Sequence, residues 1–120
     1  AEPDVRTAVR QVLLANCRMF ARLGGAMPFA LELARTDPDM RVFIDATYHG
    51  RRHRAMEALA ARVVAEGAAA PGWTRTRIAD ALLVLTSHES FQTLAGHRGR
   101  SVDRAAADLY RLAMAFLADR

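Results

Sequence analysis

Asp45, His49 and His53 recur at intervals of four. Stepping onward by three and four leads to Met56, Ala60 and Val63, an apolar helical seam, and stepping back leads to Val42. Ionisable groups on a line that faces an interior need partners or a polar cavity. The reading taken is a cleft wall whose polar groups orient a ligand among apolar side chains. Two others stay open: a bend at Gly50 turns these residues to water, or the His pair joins Asp45 as metal ligands. His-x-x-x-His without an intervening Glu is a weak metal signal, so no metal is assigned.

Other side chains of suitable chemistry follow helical phase. Asn16 falls on the apolar stripe of the first segment beside Phe20, and a buried amide must find a partner, whether a neighbour or a ligand. Met27 and Phe43, with Met19 and Phe29, offer an adaptable apolar wall. Trp73 stands in a loop where it can cover a cavity or anchor packing. The expected ligand set is therefore Asn16, Phe20, Met27, Phe43, Asp45, His49, His53 and Trp73. Cys17 reads as a small buried residue, since no second cysteine exists to resolve an oxidised thiol.

Catalytic machinery is not signalled. Ser87, His88 and Glu89 are consecutive, and consecutive helical residues do not face one another. A di-iron bundle needs paired Glu-x-x-His motifs, which do not occur. No enzyme activity, catalytic residue or cofactor is assigned.

The elements that hold these residues read as helices throughout, because the dominant period is helical and β-branched residues never cluster. Pro and Gly cut the chain into five helices. The first is expected from Pro3 to Leu23, stopped by Gly24 and Gly25, with Val5, Val9, Val12, Asn16, Phe20 and Leu23 as its buried stripe. A short second helix covers Met27 to Arg35. The third runs from Pro38 to Glu66 behind Asp37 as N-cap, with Gly50 as a point of bending and Gly67 as stop. After the loop 67–74 the fourth spans Arg75 to His97, and Ser101 caps a fifth from Val102 to Ala118. The expected fold is all-α, a five-helix antiparallel bundle forming one domain.

Length and composition agree. The chain has 120 residues, 52% hydrophobic and 25% charged, which suits one globular domain rather than a disordered segment. One cysteine excludes a disulfide framework and a Cys-rich zinc site. No apolar run approaches a membrane span and no signal pattern opens the chain, so the expectation is a cytoplasmic protein without a membrane partner. The chain does not begin with Met, which suggests part of a longer protein. All 17 basic residues are Arg and 25 residues are Ala, as a GC-rich genome produces. The net charge of +4 is spread out and demands no nucleic acid. The arginines of the first helix, Arg6, Arg10, Arg18 and Arg22, and the cluster Arg51, Arg52 and Arg54 read as solvated faces.

The last two helices are apolar on more than one side. Leu109, Leu112, Ala113 and Phe116 on the fifth, and Leu82, Leu85 and Phe91 on the fourth, exceed what a single core stripe uses. The expectation is a homodimer in which these helices meet their copies as a four-helix bundle, with those seven residues at the interface.

Residues 81–101, ALLVLTSHESFQTLAGHRGRS, resemble the C-terminal region of TetR-family (tetracycline-repressor-type) transcriptional regulators. Leu85, Thr86, Ser87, Phe91, Leu94, Arg98, Gly99 and Ser101 match the family's order of an apolar helix, a Leu-Thr-Ser step, an aromatic, a Leu, an Arg-Gly stop and a Ser-capped last helix. Asp37-Pro38, opening a long helix that carries Arg51-Arg52 and ends at Glu66-Gly67, is similar to the same family. His88 stands where the family often has Pro, and Arg100 where it often has Trp. The resemblance covers roughly residues 37–118 and implies the effector-binding and dimerisation domain, without the N-terminal helix-turn-helix. It implies a small hydrophobic or amphipathic effector, itself as dimer partner, and operator DNA reached only through the missing domain. The alternative is a standalone helical adaptor or hydrophobic-ligand carrier with no DNA role.

Overall fold

The computed structural model describes residues 3–119. Side-chain oxygens start most of its helices. The Asp4 carboxylate accepts the amide N–H groups of Arg6 and Thr7 and opens α1, Val5–Leu23. A short α2, Ala26–Leu33, follows. The Asp37 carboxylate accepts from the Met40 N–H at 3.0 Å and opens α3, Pro38–Ile44. A π-helical turn, Asp45–His49, carries the same rod into α4, Gly50–Ala65. Thr74 caps α5, Arg75–Leu85. Ser87 caps α6, His88–Phe91, which continues through a second π-helical turn, Gln92–His97. Ser101 caps α7, Val102–Ala113. Each such cap supplies a partner to an N–H group that the helix itself leaves unpaired.

The all-helical expectation holds among the described residues, where the only bridge is the isolated antiparallel pair Ala69 and Leu117. α2 runs Ala26–Leu33 rather than Met27 to Arg35, α4 ends at Ala65 rather than Glu66, and three further boundaries differ. Pro3 lies outside α1, because Asp4 is the cap rather than a first-turn residue. The expected fourth helix is two, since Thr86 ends α5 and Ser87 starts α6. The last helix stops at Ala113, five residues early, because the chain then turns back: the Ala70 N–H donates to Phe116 O at 2.9 Å and the Ala118 N–H to Ala68 O at 2.8 Å.

Two antiparallel pairs build the core. α1 lies along α7, with Val5, Val9, Leu13, Cys17 and Phe20 buried on one side and Ala105, Ala106, Leu109 and Ala113 on the other. α4 lies along α5, burying Met56, Leu59, Ala60 and Val63 together with Ile78, Ala79 and Leu82. Full burial of a Leu or Ile contributes about 1.5–3 kcal/mol, and the alanines let the helix axes approach closely enough to exclude water. The observed α1 stripe is rotated from the expected one. Val12 and Asn16 are half-buried and Leu23 is exposed, while Leu13 and Cys17 take the interior.

The pairing of α1 with α7 engages the arginines read as a solvated face. The Arg6 guanidinium donates to Ala118 O at 2.7 Å, Arg10 lies over the Tyr110 ring at 4.4 Å, and Arg18 meets Asp103 at 3.3 Å.

Six of the seven residues expected at a dimer seam are covered by the chain itself. Leu82, Leu85, Phe91, Leu109, Ala113 and Phe116 are all buried in its own core, so they offer no surface to a second copy. The two-sided apolarity of these helices is consumed by α1, by α4 and by the returning chain end. Of the seven, Leu112 alone remains exposed, at 61%; Val84 on α5 and Met114 after α7 are exposed as well.

Candidate functional site: a divided cleft between α1 and the π-bulged rod

The π turn decides which side chains of the third rod face inward. The Gly50 N–H donates to Asp45 O, five residues back rather than four. The extra residue rotates the helix face that follows it. Ile44, Tyr48, Arg52 and Met56, each four apart, form the inward line; Ile44 and Met56 are buried, Tyr48 and Arg52 half-buried. The expected line of Asp45, His49 and His53 is displaced to one side. Asp45 and His53 are exposed, Val42 is 69% exposed, and His49 packs its ring against Tyr48 with centroids 4.8 Å apart. Among the described residues no three His, Cys, Asp or Glu side chains gather as a metal set.

Between this rod and α1 runs a cleft with two compartments. The first, about 560 Å³, is walled by Asn16, Met19 and Arg22 on α1 and by Tyr48, Arg51 and Arg52 opposite, with Thr86 at its end. The second, about 370 Å³, is walled by Met19, Leu23, Met27, Phe43 and Ile44. Met19, Thr47 and Tyr48 line both, so the two adjoin. Each falls within the usual range for small-molecule sites, roughly 300–1,000 Å³. A larger recess of about 660 Å³ along Trp73, Arg77, Asp80 and Val84 is a more open groove on the outer face of α5.

The polar end of the cleft converges on the break between α5 and α6. The Asn16 amide donates to Thr86 O at 2.9 Å. Nη1 of Arg52 donates to Leu83 O and, at 3.3 Å, to Thr86 Oγ1. Thr86 Oγ1 in turn donates to Leu82 O at 2.7 Å. The Tyr48 hydroxyl accepts the His88 N–H at 3.1 Å. The last carbonyls of α5 and a first amide of α6 thus find partners on α1 and on the rod, which satisfies groups that a broken helix exposes. Burial raises the Tyr48 pKa above its usual value, against the opposing pull of Arg52, whose guanidinium lies 5.1 Å from the ring centroid. The phenol therefore stays protonated at neutral pH.

One polar atom in this network lacks a partner. Nε of Arg52 is buried and makes no hydrogen bond. A buried donor left unmade costs about 1–3 kcal/mol, more when charged.

The expected site residues divide accordingly. Asn16, Met27 and Phe43 line the cleft, as does Met19. Phe20 lies behind the wall, 1% exposed, packed edge-on against Tyr48 and His88 and tilted against Phe91. It is core rather than a ligand contact. Asp45, His49 and His53 do not line either compartment, for the register reason above. Trp73 is remote from the cleft and anchors its loop on Phe116, centroids 5.8 Å apart. Phe29 is 69% exposed and lines neither compartment. Missed from the sequence were Tyr48, Arg52 and Thr86. The constant spacing of four through Ile44, Tyr48, Arg52 and Met56 was the available signal.

Neither family models, nor curated proteins, nor solved structures give a match to this chain. No described helix is long and apolar enough to cross a membrane.

Proposed function

We propose that this chain is a small-molecule-sensing module, acting by binding rather than by chemistry, and that it is the effector-binding and dimerisation domain of a TetR-type transcriptional regulator. The two-compartment cleft between α1 and the π-bulged rod carries the reading. One compartment is apolar, the other ends in side chains that hold the α5–α6 break. A ligand there touches both helix pairs at once, so differential affinity for two arrangements of those pairs is available to it. The family assignment is supported by the motif at residues 81–101, whose Ser87 and Ser101 cap helices and whose Gly99 takes a left-handed φ of 66° between them. Self-association in this reading uses the exposed Val84, Leu112 and Met114 rather than the buried residues. Operator contact belongs to a separate helix-turn-helix.

The test is binding of N-phenyl-naphthylamine, a neutral apolar probe whose fluorescence rises in a dry site. Micromolar binding to the wild-type chain, abolished by Met19→Arg with helical circular dichroism intact, supports the cleft. Absence of binding removes it. The same cleft serves a hydrophobic-ligand carrier with no DNA role. A reading frame upstream of Ala1 that encodes a helix-turn-helix decides for the regulator.

A further inference from the structure

We infer that the cleft takes an amphipathic carboxylate: its anionic head on the free edge of the Arg52 guanidinium, its apolar tail along Met19 into the compartment of Met27, Phe43 and Ile44. This rests on the proposed sensing role of the cleft and adds the chemical class of its ligand.

The polar compartment carries three arginines, Arg22, Arg51 and Arg52, and no Asp or Glu lines it. The second compartment has no charged residue at all. Unlike the arginines of α1 that meet Asp103, Tyr110 or Ala118, Arg52 has no carboxylate partner among the described residues. Its two hydrogen bonds both leave from Nη1 and both end on neutral oxygens. Nε is buried and unpaired. Nη2 likewise makes no hydrogen bond among the described residues. The edge formed by Nε and Nη2 is the one that a carboxylate takes side-on with two parallel hydrogen bonds. A single planar anion therefore satisfies the one orphaned donor in the network and neutralises an otherwise unpaired cation. Nε is buried here, so the side-on pairing requires the guanidinium to turn toward the cleft. Arg22 and Arg51, exposed at the rim, add long-range attraction.

The apolar half sets the tail. Two methionines, a phenylalanine and an isoleucine make an adaptable apolar wall for an alkyl chain. Head and tail requirements lie end to end, because Met19, Thr47 and Tyr48 belong to both compartments.

Decanoate and 1-decanol, equal in chain length and different in charge, are compared as competitors of N-phenyl-naphthylamine on the wild-type chain. Decanoate should compete about tenfold to a hundredfold better than the alcohol, the worth of a charge-assisted bidentate contact. In Arg52→Gln that preference should shrink toward unity while the neutral probe still binds, and Arg52→Lys, which keeps the charge but not the planar edge, should fall between. Equal competition by acid and alcohol overturns the carboxylate head and leaves the cleft standing. Failure of the neutral probe to bind the wild type overturns the sensing role itself, and the ligand class with it. Should Arg52→Gln not fold, the wild-type comparison and Arg52→Lys still decide: a decanoate preference that Arg52→Lys leaves unchanged contradicts a head held on the planar Nε–Nη2 edge.

Discussion

The Gly50 N–H donates to the Asp45 carbonyl five residues earlier, and a Cβ built on Gly50 meets that oxygen at 2.8 Å. The π turn and the absence of a side chain at position 50 are one fact seen twice. Closing the wider ring brings the oxygen against the space that any other residue's Cβ fills.

Gly50→Ala inverts an ordinary expectation. In an unstrained helix the change stabilises by about 0.5–1 kcal/mol. Here the backbone oxygen must move, so the variant should lose on the order of 1 kcal/mol or more. Urea denaturation measures it. A more stable Gly50→Ala protein contradicts the close approach.

Asn16→Ala removes the donor to Thr86 O, and Thr86→Val removes the acceptor for Arg52 Nη1 and the bond to Leu82 O. Each should cost about 1–2 kcal/mol. Because both act on the same junction, their effects should not add, and the double variant should show a coupling of at least about 0.5 kcal/mol. Strict additivity argues against a shared network.

Cys17 is buried and its thiol pKa is raised from 9.0 to about 11 by desolvation. The folded pKa exceeds the unfolded one, so the contribution to stability is full below pH 9 and declines as pH rises toward 11. Tyr48, shifted the same way, adds to that decline at higher pH. Folding midpoints measured from pH 8 to 11 should fall less steeply in Cys17→Ala than in the wild type. The native thiol should also resist aromatic disulfide reagents at pH 8 until the chain is unfolded.

Val84 and Leu112 are 64% and 61% exposed. If copies pair through these faces, light scattering at micromolar concentration gives a dimer for the wild type and a monomer for Val84→Arg/Leu112→Arg. The double variant should keep its helical circular dichroism, and its melting should lose the dependence on protein concentration that a dimer shows. A wild-type monomer ends the dimer reading.

The helices were legible because caps and stops are local. Asp37, Thr74 and Ser101 each accept a backbone N–H from their own first turn, and a sequence displays that chemistry within four residues. Ser87 had the same signature, with Glu89 following it, yet the apolar run before it masked the break. The site was less legible because it depends on phase. Stepping back from Met56 by three reaches His53, and by four reaches Arg52. Both steps stay within α4, where the phase of Met56, Leu59, Ala60 and Val63 favours Arg52, and the π residue upstream then brings Tyr48 and Ile44 rather than His49 and Asp45 onto that line. The dimer residues failed for a different reason. An apolar excess tells how much surface must be covered, whereas the cover here is supplied by residues 68–70 meeting 116–118, a pairing that no helical period announces.

That same pairing ties the two ends of the described chain together. Arg6 reaches Ala118, Arg62 holds Pro3 O, and Ala118 is laced to Ala68. The two ends of the described chain are thus held on the same end of the α1–α7 pair, and continuity across the gap between them is topologically interchangeable with continuity elsewhere. A circular permutant joined by a short Gly-Ser linker across the gap, and opened at the exposed Gly24-Gly25 turn, should keep the helix pairs and the cleft intact. Anything fused before α1 emerges beside the end of α7, at the far end of α1 from the Gly24-Gly25 turn.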